Sequence, residues 1–148
     1  MTVGYDNVIS FVVPGEPVGK GRPRFSRKTG RTYTPEKTAN FETLVRFEYH
    51  SQTGGFRFDD DAEIGIRVVA VFSIPKSATK KNREQMIKGI ILPRKKPDAD
   101  NCLKAVADAL NRIAYADDSA IVHADVIKMY GTEPRTMVQL WRVVHDEK

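Results

Sequence analysis

The chain has few of the residues on which several kinds of site depend. Among its 148 residues there are one cysteine, Cys102, and three histidines. A single cysteine cannot form an internal disulfide, and this fits a reducing cytoplasm. No histidine or cysteine is spaced from His50 as zinc ligands are, which argues against a zinc site. We therefore interpret Cys102 as a small packing residue.

Long apolar runs are also missing, and we expect no secretory leader. No apolar run approaches the length needed to cross a bilayer, and residues 1–6 lack a basic segment followed by an apolar one. Hydrophobic residues make up 41% and charged residues 29% of the chain, which is typical of a globular protein. We expect one cytoplasmic domain over residues 1–148, without membrane association.

Acidic residues are scarce in two parts of a chain whose net charge is +5. Residues 20–31 contain six basic residues and no acid, and residues 76–96 contain eight basic residues against Glu84. This charge favours a polyanionic partner and indicates a phosphate-binding surface. Residues 19–31 lack the spacing of a nucleotide-binding P-loop. For that loop, a solvated and partly disordered segment is an equal alternative on charge alone.

An acidic cluster lies between residues 98 and 125. Its six aspartates are Asp98, Asp100, Asp108, Asp117, Asp118 and Asp125. Pro97 favours extended backbone before it, and an extended Asp98–Asp100 would point both carboxylates to one face. Asp100 or Asn101 is a good helix N-cap. The apolar stripe of the helix that follows is Leu103, Val106, Ala107, Leu110, Ile113 and Ala114, which leaves Lys104 beside the carboxylates.

Asp117 and Asp118 follow this helix in a short connection that can fold back, although spacing does not prove that it does. Two like charges about 4 Å apart repel by roughly 4 kcal/mol at an effective dielectric of about 20. Clustered carboxylates therefore take up protons or bind a cation, and oxygen ligands suit Mg²⁺ or Mn²⁺ rather than Zn²⁺. The alternative is that these aspartates are helix caps and solvated loop charges.

The hydrophobic pattern predicts an α+β domain with a mixed sheet and helices packed on it. Predicted strands are residues 7–13, 63–73, 120–130 and 136–144, and the last two are expected to form a hairpin through residues 131–135. Helices are predicted at residues 35–51 and at residues 77–88. A third helix is predicted from the N-cap at Asp100 or Asn101 to about residue 114. Thr34 is the expected N-cap of the first helix, and residues 19–31 are expected to be an irregular loop.

Three stretches carry a specific resemblance to a known family. They are Lys-Pro-Asp-Ala-Asp-Asn-Cys-Leu-Lys at 96–104, Asp-Ala-Leu-Asn at 108–111 and Tyr-Ala-Asp-Asp-Ser at 115–119. Together they resemble the RusA family of Holliday-junction resolvases, and Gly-Lys-Gly-Arg-Pro-Arg at 19–24 is similar to a basic stretch of many members. The resemblance implies a small homodimeric, Mg²⁺-dependent endonuclease of phage or prophage origin. Its substrate would be the four-way DNA junction of recombination and repair.

Matched residue by residue, the resemblance implies metal binding by Asp98, Asp100 and Asp118, with Asp117 as a weaker candidate, and a catalytic role for Lys104. The catalytic set is thus Asp98, Asp100, Lys104 and Asp118. Some family members have arginine where this chain has Pro97. The candidate DNA-binding residues are Lys20, Arg22, Arg24, Arg27, Lys28, Arg31, Lys80, Lys81, Lys95 and Lys96.

Two other functions are compatible with the sequence. A non-catalytic junction-binding protein would use the same basic segments and carry a vestigial metal site. A metal-dependent phosphatase or nucleotidase for small substrates would use the carboxylates but leave both basic segments without a role.

Overall fold

Seven longer elements and a small β-ribbon can be assigned in the computed structural model, which describes the backbone of residues 2–146 and the side chains of residues 4–145. Residues 1, 147 and 148 of the predicted domain lie outside the described residues. In chain order the elements are β1 (Thr2–Pro14), β2 (Arg24–Phe25), β3 (Thr32–Tyr33), α1 (Glu36–Thr53), β4 (Ile64–Ser73), α2 (Lys80–Ile87), α3 (Ala99–Leu110), β5 (Ile121–Gly131) and β6 (Arg135–Asp146).

The four long strands form one mixed sheet in the order β1-β6-β4-β5. Strand β6 runs antiparallel to both of its neighbours, whereas β4 and β5 are parallel. A parallel pair needs a long crossover connection, and the chain between β4 and β5 supplies one that contains α2 and α3. The predicted α+β class with a mixed sheet is confirmed.

The predicted hairpin between the last two strands is wrong, because β4 lies between β5 and β6. Val68 of β4 faces Val126 of β5 on one side and Val138 of β6 on the other. Most of β4 is buried, so the position with hydrogen-bonded neighbours on both edges suits it best. The turn residues at 131–135 reverse the chain direction without deciding which strands pair.

The main core lies between one face of the sheet and helices α1 and α3. From β4, Ile64, Ile66 and Val68 are fully buried, as the period of two along a strand predicts. Helix α1 contributes Phe41, Val45 and Tyr49, and α3 contributes Ala105, Val106, Ala109 and Leu110. This core fixes α3, and with it the first residues of the acidic cluster, against the centre of the sheet.

The N-caps of α1 and α3 lie one to three residues from the predicted positions. Pro35, with ψ 142°, is the N-cap of α1, so Thr34 is one residue too early. Asp98 is the N-cap of α3, and its carbonyl oxygen accepts a bond from the Cys102 N–H at 3.0 Å. The expectation that Asp98 and Asp100 are both extended is therefore wrong, since Asp100 already lies in the first helical turn.

The basic segment after β1 is more ordered than predicted. Arg24 pairs with Tyr33 and Phe25 pairs with Thr32 in the β2–β3 ribbon. The ribbon closes through Gly30, whose φ of 67° is favoured by glycine and whose N–H donates to the Ser26 carbonyl at 2.8 Å. In the described part of the chain, no helix combines the length and the apolar character needed to cross a membrane.

Candidate active site

One face of α3 borders a cavity of about 270 Å³. Asp100, Lys104 and Asp108 recur every four residues along the helix, so their side chains lie on the same face. Asp118 lines the cavity from the segment that follows α3. The structure thus brings together three of the four predicted catalytic residues and adds Asp108, which was not among them.

Tyr115 holds Asp118 next to α3. Its ring is fully buried and its hydroxyl donates to the Ala107 carbonyl at 2.6 Å, which ties the returning chain to the third turn of the helix. Burial raises the pKa of Tyr115, with further contributions from the negative charges of Asp118, Asp108 and Asp117. The hydroxyl therefore stays protonated and keeps its donor role throughout the neutral range.

Asp117 caps the turn that carries Asp118. Its carboxylate accepts a hydrogen bond from the Ser119 N–H at 3.1 Å, at the start of the short 3₁₀ turn Asp118–Ala120. Hydrogen bonds from Ser119 lower the pKa of Asp117. Asp117 is exposed and does not line the cavity that Asp118 lines.

Asp98 lies at the start of the same helix, but its carboxylate points to a different partner. It forms an ion pair with Lys96 at 3.0 Å, and it does not line the cavity of Asp100. Burial raises the pKa of the Cys102 thiol to about 11, and the charges of Asp98 and Asp100 add to this increase. Cys102 is 2% exposed, so the prediction that it is a packing residue is confirmed.

The cavity fits a hard divalent cation by ligand chemistry rather than by finished geometry. Asp100 and Asp118 both line this cavity, and carboxylate oxygens are ligands that Mg²⁺ and Mn²⁺ prefer. Within residues 4–145, however, no three His, Cys, Asp or Glu side chains are arranged as a metal-binding group. Asp98, one of the predicted ligands, is instead paired with Lys96.

A second and larger cavity, of about 520 Å³, lies between the basic segment and the start of α3. We call it the basic cleft. Arg22 and Arg24 line one side, and Lys96, Pro97 and Asn101 line the other. Two predicted DNA-binding residues thus lie across the cleft from the turn that leads into Asp98.

The remaining predicted DNA-binding residues are exposed, with Lys20 as the exception. Arg27, Lys28 and Arg31 lie in and beside the turn of the β2–β3 ribbon, and Lys80 and Lys81 open α2. Lys20 is instead paired with Glu42 at 2.6 Å and with Asp108 at 3.2 Å. Glu42 and Asp108 were missed because nothing in the local sequence reveals these partners.

Lys128 is a further basic residue that the sequence analysis missed. Its Nζ donates to the Lys95 carbonyl at 2.6 Å, which ties the basic residues before α3 to strand β5. Both Lys95 and Lys128 have their Nζ 5.5 Å from the centre of the Phe72 ring, a cation–π geometry. A lysine within an apolar strand pattern is recognisable in the sequence, but the contacts of Lys128 with Lys95 and Phe72 are not.

Comparison with known proteins agrees with these features. A family model described as endodeoxyribonuclease RusA matches residues 14–141, which include the basic segment and every candidate catalytic residue. The protein named YqaN of Bacillus subtilis (strain 168), described as uncharacterised, is 36% identical over 137 residues; the match covers 91% of this chain and 96% of that protein. The chain belongs to the RusA endodeoxyribonuclease family, which confirms the identification made from its motifs.

Proposed function

We propose that the protein is a divalent-metal-dependent endodeoxyribonuclease that resolves four-way DNA junctions by paired, symmetric nicks. Family membership supports DNA cleavage. The observation that carries the proposal is the cavity shared by Asp100, Lys104 and Asp118, next to a cleft lined by arginine and lysine.

In this proposal Asp100 and Asp118, together with Asp98, would hold Mg²⁺, for which Mn²⁺ could substitute. The bound cation would supply Lewis-acid activation of water and neutralisation of charge at the scissile phosphate. Asp98 would exchange its ion pair with Lys96 for this role. Asp117 would act by holding the turn of Asp118 through Ser119, rather than as a ligand.

Lys104 has a separate role in the proposed mechanism. It lies one helical turn after Asp100, is exposed and lines the cavity that Asp100 and Asp118 also line. An ammonium group at this position stabilises the negative charge that develops on the phosphate oxygens during attack. Because α3 is anchored in the core, its backbone keeps Lys104 and Asp100 one helical turn apart.

The exposed basic residues would grip DNA phosphates on both sides of the cut. Arg22 and Arg24 border the cleft, Arg27, Lys28 and Arg31 extend the surface along the ribbon, and Lys80, Lys81, Lys95 and Lys96 provide the other side. Contacts of this kind release counterions, so the affinity should fall steeply as salt rises.

Two nicks on symmetric strands require two active sites, and we propose that a twofold dimer supplies them. The sheet face opposite α1 and α3 offers a surface for the second copy. Val12, Met137, Val69 and Ile127 are in register across all four strands on that face. Val12 is 39% and Ile127 44% exposed, and a partner of the same chain would cover this apolar row.

A cleavage assay tests the proposal directly. Labelled four-way junction and matched linear duplex are each incubated with the protein, in Mg²⁺ and in chelator. We expect paired nicks on the junction in Mg²⁺ only. Equal cleavage of the duplex would overturn junction selectivity, and unchanged cleavage in chelator would overturn the role of a metal.

The ion pair between Lys96 and Asp98 favours one alternative, a non-catalytic junction-binding protein, because it occupies a predicted ligand. Tight junction binding without nicks in Mg²⁺ or Mn²⁺ would establish that alternative. Thermal unfolding separates the two, since a functional metal site binds the folded state and raises the melting temperature with Mg²⁺.

A further inference from the structure

We propose that Lys20 is a positioning residue that clamps the basic segment of residues 19–24 onto α1 and α3, and that it does not contact DNA phosphate. The inference rests on the proposed nuclease function and deepens it. The inference assigns Lys20 a different role from the other basic residues of the segment. These residues had been grouped by charge alone in the sequence analysis.

Two ion pairs neutralise the positive charge of Lys20. Its Nζ lies 2.6 Å from Glu42 Oε1 on α1 and 3.2 Å from Asp108 Oδ2 on α3, and the Lys20 side chain is 17% exposed. Burial alone would lower the pKa of Lys20, but the hydrogen bonds to Glu42 and Asp108 outweigh it, so the pKa is raised. Because Arg46 Nη1 lies 3.9 Å from Glu42 Oε2, the four side chains together carry no net charge.

The backbone of the same segment is fastened to both helices. The Lys20 N–H donates to the Asn101 carbonyl in the first turn of α3 at 3.0 Å. The Gly21 N–H donates to Thr38 Oγ1 on α1 at 3.0 Å, and that hydroxyl lies 3.3 Å from the Gly19 carbonyl, to which it donates. Thr38 is 2% exposed, so these contacts are shielded from water.

The two glycines beside Lys20 allow this close approach. A Cβ at Gly19 would lie 2.5 Å from Cβ of Pro97, and a Cβ at Gly21 would lie 3.0 Å from Cγ of Pro35. The first distance requires the backbone or proline to shift, so a side chain at Gly19 would push the segment away from α3. The Gly-Lys-Gly sequence is thus explained by docking rather than by flexibility.

The clamp has two consequences for the proposed chemistry. It holds Arg22 and Arg24 across the basic cleft from the turn that leads into Asp98. It also engages Asp108, which lines the same cavity as Lys104 and lies four residues after it on α3. Residues at this spacing pair readily, so without Lys20 the Asp108 carboxylate would attract Lys104 away from the reacting phosphate.

The salt dependence of junction binding distinguishes a clamp from a phosphate contact. For Lys20→Met we expect the slope of log K against log salt to stay at the wild-type value. The matched control Arg22→Met, an exposed neighbour, should reduce that slope by about 0.9. A reduction of the same size in Lys20→Met would overturn the proposal, and this comparison requires only DNA binding, so it stands even if the protein does not cleave.

Cleavage at saturating DNA supplies the second readout. We expect Lys20→Met to lower the single-turnover rate by about tenfold to a hundredfold, as a misplaced catalytic group does. Adding Asp108→Asn to Lys20→Met should restore part of that rate, because a neutral side chain no longer attracts Lys104. A double variant that melts at the wild-type temperature yet cleaves no faster than Lys20→Met would overturn the role of Lys20 in keeping Lys104 free.

The single variant leaves two carboxylates without their cation, so its folding needs a control. Lys20→Arg keeps the charge and should retain the thermal stability and most of the cleavage rate. If Lys20→Met is too unstable to assay, the triple variant Lys20→Met, Glu42→Gln, Asp108→Asn takes its place in the salt titration. The triple variant removes all three charges. A reduced slope in that variant would overturn the proposal, and an unchanged slope supports it.

Discussion

Helices α2 and α3 lie in the same crossover connection, yet they relate to the core in opposite ways. Half of the twelve residues of α3 are buried, and none of the residues of α2 is. Helix α3 therefore presents its polar face from a fixed position, whereas α2 presents basic residues from the surface. Under the proposed function, one connection would supply both a rigid catalytic surface on α3 and an exposed DNA contact on α2.

The largest effect on cleavage should come from a substitution in α3. Asp100→Asn removes a proposed metal ligand without changing the helix, and a bound metal contributes several kcal/mol, so cleavage should fall by about a hundredfold or more. Junction binding should persist in gel-shift assays. The matched control is Asp61→Asn, an exposed aspartate outside the acidic cluster, and full activity of Asp100→Asn would remove that ligand from the site.

Truncation of one apolar side chain in each helix should affect stability very differently. Leu110 in α3 is fully buried, so Leu110→Ala should lower the free energy of unfolding by about 2–5 kcal/mol. Ile87, the last residue of α2, is 54% exposed, and Ile87→Ala should change that free energy by no more than about 0.5 kcal/mol. Urea unfolding measures both, and equal losses would mean that α2 belongs to the core.

Removing charge from α2 should affect binding while leaving folding intact. For Lys80→Ala with Lys81→Ala we expect the slope of log K against log salt to fall by about 1.8, or 0.9 for each lost phosphate contact. The urea midpoint should match that of the wild type, because both lysines are exposed. An unchanged slope would show that α2 lies away from the bound DNA.

The smallest effect concerns how α2 begins. Thr79 caps it by accepting a hydrogen bond from the Asn82 N–H at 3.1 Å, whereas Asp98 caps α3 without a side-chain bond. Thr79→Ala should therefore destabilise α2 locally by about 1 kcal/mol. Amide exchange should quicken in α2 and stay unchanged in α3. Faster exchange in both helices would show that they unfold together.

Local patterns in the sequence were sufficient for the positions of most elements. The alternation along residues 63–73 predicts β4, because the period of two depends only on neighbouring residues. The hairpin prediction failed because strand order depends on which surfaces bury each other across the whole chain. The N-cap of α3 was misplaced because Asp98, Asp100 and Asn101 all suit that position.

The site was predictable as far as its residues carry a motif. Asp100, Lys104 and Asp118 were selected from the sequence, and all three border one cavity. The clamp was not predictable, because a lysine among arginines carries no sign of partners on two distant helices. Its two carboxylates become visible only when α1 and α3 lie side by side.

The hydroxyl of Tyr115 links the two segments that carry the candidate active site, α3 and the chain that follows it. Asp100 and Asp118 belong to different segments, but a buried hydrogen bond to Ala107 couples the second segment to α3. Opening of either part then requires loss of core packing, at a free energy approaching that of global unfolding. The spacing between the two carboxylates thus depends on core packing, which α2 and the β2–β3 ribbon, with no buried residues, do not share.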